Sequence, residues 1–111
     1  MSEPSPVNVP EELLPLVEHQ PRVLEILRSM RVDLEELSGL DEGRIELIRL
    51  GAAIGLGAPT ATFEAHVQRA LSVGVTSDEI WGAVMAAAPL VGVPRLLEAI
   101  PSIAASLGEN H

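Results

Sequence analysis

Residues 41–99, DEGRIELIRLGAAIGLGAPTATFEAHVQRALSVGVTSDEIWGAVMAAAPLVGVPRLLEA, decide the fold. Asp41 is placed to cap a helix whose apolar positions Ile45, Ile48 and Ala52 recur at three- and four-residue spacing. From Leu50 to Leu56 nearly every side chain is apolar or absent. A helix with no polar face is expected to be buried on all sides, in a core or by another subunit. Gly57-Ala58-Pro59-Thr60 punctuates the chain, with Gly suited to ending one helix and Pro to opening the next. The following helix sets Phe63, His66, Val67, Ala70 and Leu71 on one stripe and stops at Gly74. Thr76-Ser77-Asp78-Glu79 has capping-box spacing and predicts a helix through Ile80, Val84 and Ala87 that ends near Gly92; Met85 is expected in the core. Pro94 opens a last helix with Leu97, Ile100, Ala104 and Leu107 as its expected inner stripe, followed by Gly108. The pattern is all-α.

Upstream, residues 1–9 are rich in Pro and Ser and are expected to form a flexible arm. Residues 10–38 predict covering helices. Pro10 starts a short one that Pro15 limits, and Pro21 opens another with Val23, Leu24, Leu27 and Met30 as its inner face. Asp33 to Leu37 adds a turn before Ser38-Gly39 breaks it. The expected role of this third is to cover the hairpins of residues 40–108 or to reach a neighbouring subunit. A chain of 111 residues is expected to form a single domain overall.

Composition narrows the function. Sixteen acidic residues against seven basic leave a net charge of −9, which argues against nucleic acid, where neutralised phosphates supply most of the affinity. Phe63 and Trp81 are the only aromatic residues, so no platform exists for stacking bases. All basic residues are Arg, which excludes Schiff-base chemistry and pyridoxal attachment through a lysine. The absence of cysteine removes disulfides, thiol catalysis and thiolate metal ligands together. No apolar run reaches the roughly 20 residues that span a bilayer. The N-terminus carries no signal-peptide pattern either, so the expectation is a cytoplasmic protein with no membrane partner. With 47% hydrophobic residues and a mean hydropathy of +0.29, a domain this small has more apolar surface than it can hide, which predicts a homo-oligomer.

The order of an apolar helix, a short His-bearing helix, ALSVGVTSDEI, an apolar helix and VGVP resembles the carboxymuconolactone decarboxylase family, which includes the alkylhydroperoxidase D-like proteins. His66, Ala70-Leu71, Gly74, Thr76, Glu79-Ile80, Gly92 and Pro94 carry the match over about half the chain. The resemblance implies an all-α helical-hairpin bundle that assembles as a trimer or hexamer. The chain also departs from the family. The redox branch has two cysteines where Pro59 and Thr62 stand before His66. The decarboxylase branch has His and Tyr where Ala86 and Leu90 stand, and a charged Gly-Arg turn where this chain has Gly57-Ala58-Pro59.

His66 is the residue that remains for chemistry, since an imidazole exchanges protons near neutrality. Its plainer reading is a buried histidine satisfied by a carbonyl or carboxylate. A hairpin turning near residues 58–59 sets Gly51 opposite His66, either to leave room for a ligand or for close helix packing. The redox branch places a relay glutamate about 19 residues before the histidine, and Glu46 stands 20 before His66. Glu46 with Arg49 is otherwise an ordinary surface pair. Arg49, Arg69 and Arg95 are candidates to bind a substrate carboxylate, and Trp81 to line a pocket; each also reads as a surface or packing residue. No carboxylate or histidine lies three or four residues from His66, so no metal site is expected.

Two readings of function stay open. One is a non-redox, cofactor-free lyase or isomerase acting on a small carboxylated or carbonyl compound, with His66 as general acid or base. The other is a catalytically silent oligomeric scaffold or small-ligand binding protein of the same fold.

Overall fold

The computed structural model describes Val9 and residues 11–109, all of whose regular structure is helical. Apart from Val9, the expected arm of residues 1–9 lies outside the described residues, as does Pro10. The chain divides into two compact units between Leu40 and Asp41.

The first unit holds a 3-10 turn, Glu11–Leu13, followed by α1 (Leu14–His19) and α2 (Arg22–Ser38). Pro15 does not limit a helix here. It sits in the first turn of α1, where the missing N–H costs no hydrogen bond. Helix α2 runs unbroken through Asp33 and ends at Gly39, in the left-handed region at φ 69°. Ser38 Oγ donates to the Glu35 carbonyl at 2.7 Å just before that stop. No residue of α2 is buried.

The second unit contains α3 (Glu42–Leu56), α4 (Thr60–Ser72), α5 (Ser77–Val91) and α6 (Val93–Ser106). Each boundary has a local cause. Asp41 Oδ1 accepts the Arg44 N–H at 2.8 Å and caps α3. Thr76 Oγ1 accepts the Glu79 N–H at 3.1 Å while Glu79 Oε1 accepts the Thr76 N–H at 2.9 Å, a complete capping box. At the α3 terminus Gly57 adopts φ 66° and the Ala58 N–H bonds back to the Ala53 carbonyl, so the chain reverses within three residues.

Around the bundle the helices follow the order α3, α4, α6, α5, each packed on the next. Leu50 and Ile54 of α3, Phe63 and Val67 of α4, Ile80 and Val84 of α5, and Ala99 and Ile103 of α6 meet in one core. On three helices the inward positions differ from those expected. On α6 the core face runs through Leu96, Ala99, Ile103 and Leu107, while Leu97 and Ile100 are exposed. On α5 Met85 is 68% exposed, not core, because Val84 takes the inward position beside it. On α3 Ile48 and Ala52 face outward, and the buried line is Ile45, Glu46, Leu50, Ala53 and Ile54.

Candidate functional site

Glu46 is the one buried polar side chain among the described residues, with 8% of its surface exposed. Its place follows from α3, where Glu46, Leu50 and Ala53 are spaced four and three apart and form one face. His66 shares a face of α4 with Phe63, Val67 and Ala70. The Gly57–Pro59 turn sets the register between the two helices, and it brings Glu46 level with His66. Their side chains meet, with His66 Nδ1 2.9 Å from Glu46 Oε1.

Gly51 does not provide space beside the imidazole. A Cβ on Gly51 would meet the Ala87 side chain of α5 at 3.9 Å, so its open side faces away from α4.

The pair lies among positive charges. Arg49 Nη1 is 3.7 Å from Glu46 Oε2, completing with His66 a clamp on both carboxylate oxygens. Burial pushes the Glu46 carboxyl up, but the His66 hydrogen bond and the charges of His66, Arg69 and Arg49 outweigh it and hold the group below its ordinary value. Glu46 is therefore ionised at neutral pH, and an ionised carboxylate accepts. In neutral His66 the proton then sits on Nδ1, as the donor to Glu46, and Nε2 carries the lone pair. The His66 side chain keeps 17% of its surface exposed. Among the described residues no buried side-chain nitrogen or oxygen lacks a partner and none bonds His66 Nε2, so Nε2 is the atom that meets solvent.

Arg95 and Trp81 stand elsewhere. Arg95 Nη1 donates to Glu98 Oε1 at 3.2 Å, and its guanidinium lies over Gly57 at the C-terminal end of α3. That end is about 16 Å along the helix from Glu46, at 1.5 Å rise per residue. Trp81 packs on the core, and its Nε1 donates to the Glu109 carboxylate at 3.2 Å. No group of three or more His, Asp or Glu side chains suited to a metal ion occurs among the described residues.

A second feature escaped the sequence reading. An apolar groove of about 760 Å³ runs between α3 and α5, walled by Leu47, Ile48, Gly51, Gly55, Ala86 and Leu90, with Glu79 as its one charged side chain. Ala86 and Leu90, the positions that depart from the decarboxylase pattern, both open into it. Its signal in the sequence was the run of small residues on both helices, which reads equally well as close packing.

The fold and the histidine helix are those expected from the resemblance, and the match extends beyond the motif. The family model described as the carboxymuconolactone decarboxylase family matches residues 21–105. The chain belongs to that family. No curated protein and no solved structure is significantly similar to it. The carboxymuconolactone decarboxylase family is all-α with an alkylhydroperoxidase D-like fold, and the matched residues of this chain take in α2 as well as α3–α6. Within that frame the chain is a cysteine-less member, carrying a glutamate–histidine pair on the α3–α4 side and an α5 face towards the groove that is apolar apart from Glu79. Among the described residues no helix is long and apolar enough to cross a membrane.

Proposed function

We propose that the protein is a non-redox member of its family, a cofactor-free lyase or isomerase in which His66 moves a proton on a small carboxylated or carbonyl compound. The 2.9 Å contact of His66 Nδ1 with Glu46 carries the reading. A carboxylate behind Nδ1 fixes the tautomer, aims Nε2 outward and stabilises the imidazolium formed when Nε2 takes a proton. Arg49 and Arg69 supply positive charge beside the pair, suited to a substrate carboxylate. In a decarboxylation the carbon–carboxylate bond breaks, and its electron pair passes into the neighbouring carbonyl. An imidazolium protonated by solvent water then gives its proton to that carbon, carbon dioxide leaves, and His66 is back in its neutral form. Such a step needs a placed proton and a stabilised anion, and neither a metal nor an organic cofactor.

The protein is also taken to be a trimer or hexamer of identical chains. Leu90, 91% exposed on the wall of an apolar groove, supports this, since a second copy packed on the groove would take that side chain out of water.

A second reading, a silent scaffold or small-ligand binding protein, draws support from Ala86 and Leu90, which place no acid, base or hydrogen-bond donor in that groove. The test is a panel of small keto acids and lactone carboxylates in deuterated water, followed for loss of carbon dioxide and for deuterium uptake at carbon. His66 ring signals are followed in parallel by NMR. Turnover or exchange that disappears in His66→Gln supports the acid–base reading. Compounds that bind without exchange, leaving the His66 signals unmoved, support the second.

A further inference from the structure

At 17 residues α2 is the longest described helix, yet none of its residues is buried. Five of its eight apolar side chains form one line: Val23, Leu27, Met30, Leu34 and Leu37 follow one another at spacings of four, three, four and three, with Leu24, Ile26 and Val32 off it. That 3.5-residue period keeps a seam in register with another helix, and it differs from the broader stripe of a helix lying on a globular core. The seam is also bare: Leu34 is 57% and Leu37 83% exposed.

The charges of α2 are segregated. Arg22, Arg28 and Arg31 occupy its first ten residues with a single acid, Glu25, whereas Asp33, Glu35 and Glu36 occupy the last seven with no base. For an isolated helix this polarity is backwards, because the macrodipole favours acids at the N-terminal end and bases at the C-terminal end. An antiparallel copy of the same helix reverses the penalty. It brings an acidic half beside the basic half at each end, and acidic side chains beside the positive helix terminus. A parallel copy would set like charges together along the whole length.

We propose that α2 is a self-association helix, pairing antiparallel with α2 of a second copy through the Leu27–Leu37 part of that line. The register that matches seam residues to one another sets Leu27 against Leu37 of the second copy and Met30 against its Leu34. In the same register Arg28 stands level with Glu36, and Arg31 level with Asp33, of the second copy. The pairing is isologous, so it doubles whatever assembly the four-helix units make on their own. A closed trimer of four-helix units becomes a hexamer, and an unassociated unit becomes a dimer.

Light scattering on the full chain tests the doubling. The wild type is expected to contain an even number of copies, and Leu34→Asp half that number, with helicity retained by circular dichroism. A monomeric or odd-numbered wild type overturns the proposal. So does an unchanged mass in Leu34→Asp, the outcome if the seam packs within its own chain. Arg28→Glu with Arg31→Glu should also halve the mass. Adding Asp33→Arg and Glu36→Arg, which reverses both proposed charge pairs, should restore it, and failure of that rescue counts against charge pairing. Since the chain has no cysteine, introduced ones report direction without interference. Co-expressed Leu27→Cys and Leu37→Cys chains should cross-link to each other on oxidation, while neither does so alone. Cross-linking of each variant with itself would indicate a parallel pair and overturn the antiparallel one.

Discussion

Glu46 and His66 stand 20 positions apart on consecutive antiparallel helices, and their side chains meet at 2.9 Å with both partly shielded from solvent. The pair joins α3 to α4 by a charge-assisted contact, so the residue proposed to move protons also helps to hold the hairpin together.

Acid should weaken that join. The Glu46 carboxyl is held below its ordinary value in the folded protein, chiefly through His66 against the opposing effect of burial. A depressed folded value adds stability that is complete above the unfolded value, about 4.3 for a glutamate, and is lost as pH falls through the folded value. The stability advantage of the wild type over Glu46→Gln, from urea midpoints, should be constant above about pH 5 and shrink towards pH 3. An advantage that persists unchanged to pH 3 would show that the carboxylate charge contributes nothing to folding.

Removing the imidazole should cost both function and stability. His66→Ala leaves the buried Glu46 without its main partner, a loss of about 1–3 kcal/mol. For a domain of this size that is a fall in melting temperature of roughly 4–8 °C per kcal/mol. His66→Gln offers Glu46 an amide donor and should recover most of the stability without recovering proton transfer. The two variants together separate the roles, and equal melting losses in both would place the structural value in the ring itself.

Peroxide chemistry of the thiol kind should be absent. That reaction starts with a thiolate attacking a peroxide oxygen, and Pro59 and Thr62 offer none. Incubation with an alkyl hydroperoxide and a dithiol reductant should consume no more peroxide than a heat-denatured control.

The α3–α5 groove should respond to charge. Leu90→Glu places a carboxylate on its wall at a site with almost no intramolecular contact, so the folded unit should retain its melting behaviour while the particle becomes smaller by light scattering. An unchanged particle mass would mean that the groove is not an interface.

Gly57 should tolerate no side chain while Arg95 is present. Its φ of 66° costs an alanine roughly 1–2 kcal/mol. A Cβ there would also come within 2.9 Å of the Arg95 Cζ. Gly57→Ala should be destabilising, and combining it with Arg95→Ala should return the steric part of the loss but not the backbone part. Additive effects in the double variant would show that Arg95 simply moves aside.

What was legible in the sequence was local. Asp41, Thr76 with Glu79, Gly57 and Pro94 each act within four residues, and the helix boundaries they imply are those observed. Phase was harder to read where polar markers were missing. Residues 83–91 are apolar throughout, so nothing in the sequence told Met85 from Val84, and α6 offered two apolar faces of similar quality. The proximity of Glu46 to His66 depended on how a three-residue turn offsets two helices, and spacing alone left it one residue out of register. The exposed state of α2 was illegible for another reason: its residues look like an inner face, and a sequence does not state which molecule supplies the other side.

Helix α3 carries Glu46 and Arg49 along one flank and Gly51, Ala52 and Gly55 along the opposite one. It works as a party wall between two rooms. A change of bulk in the groove, such as Gly51→Ala against Ala87, alters one room and leaves the furnishing of the other in place. A family built on this helix is free to remodel its contacts and its proton chemistry on separate evolutionary clocks.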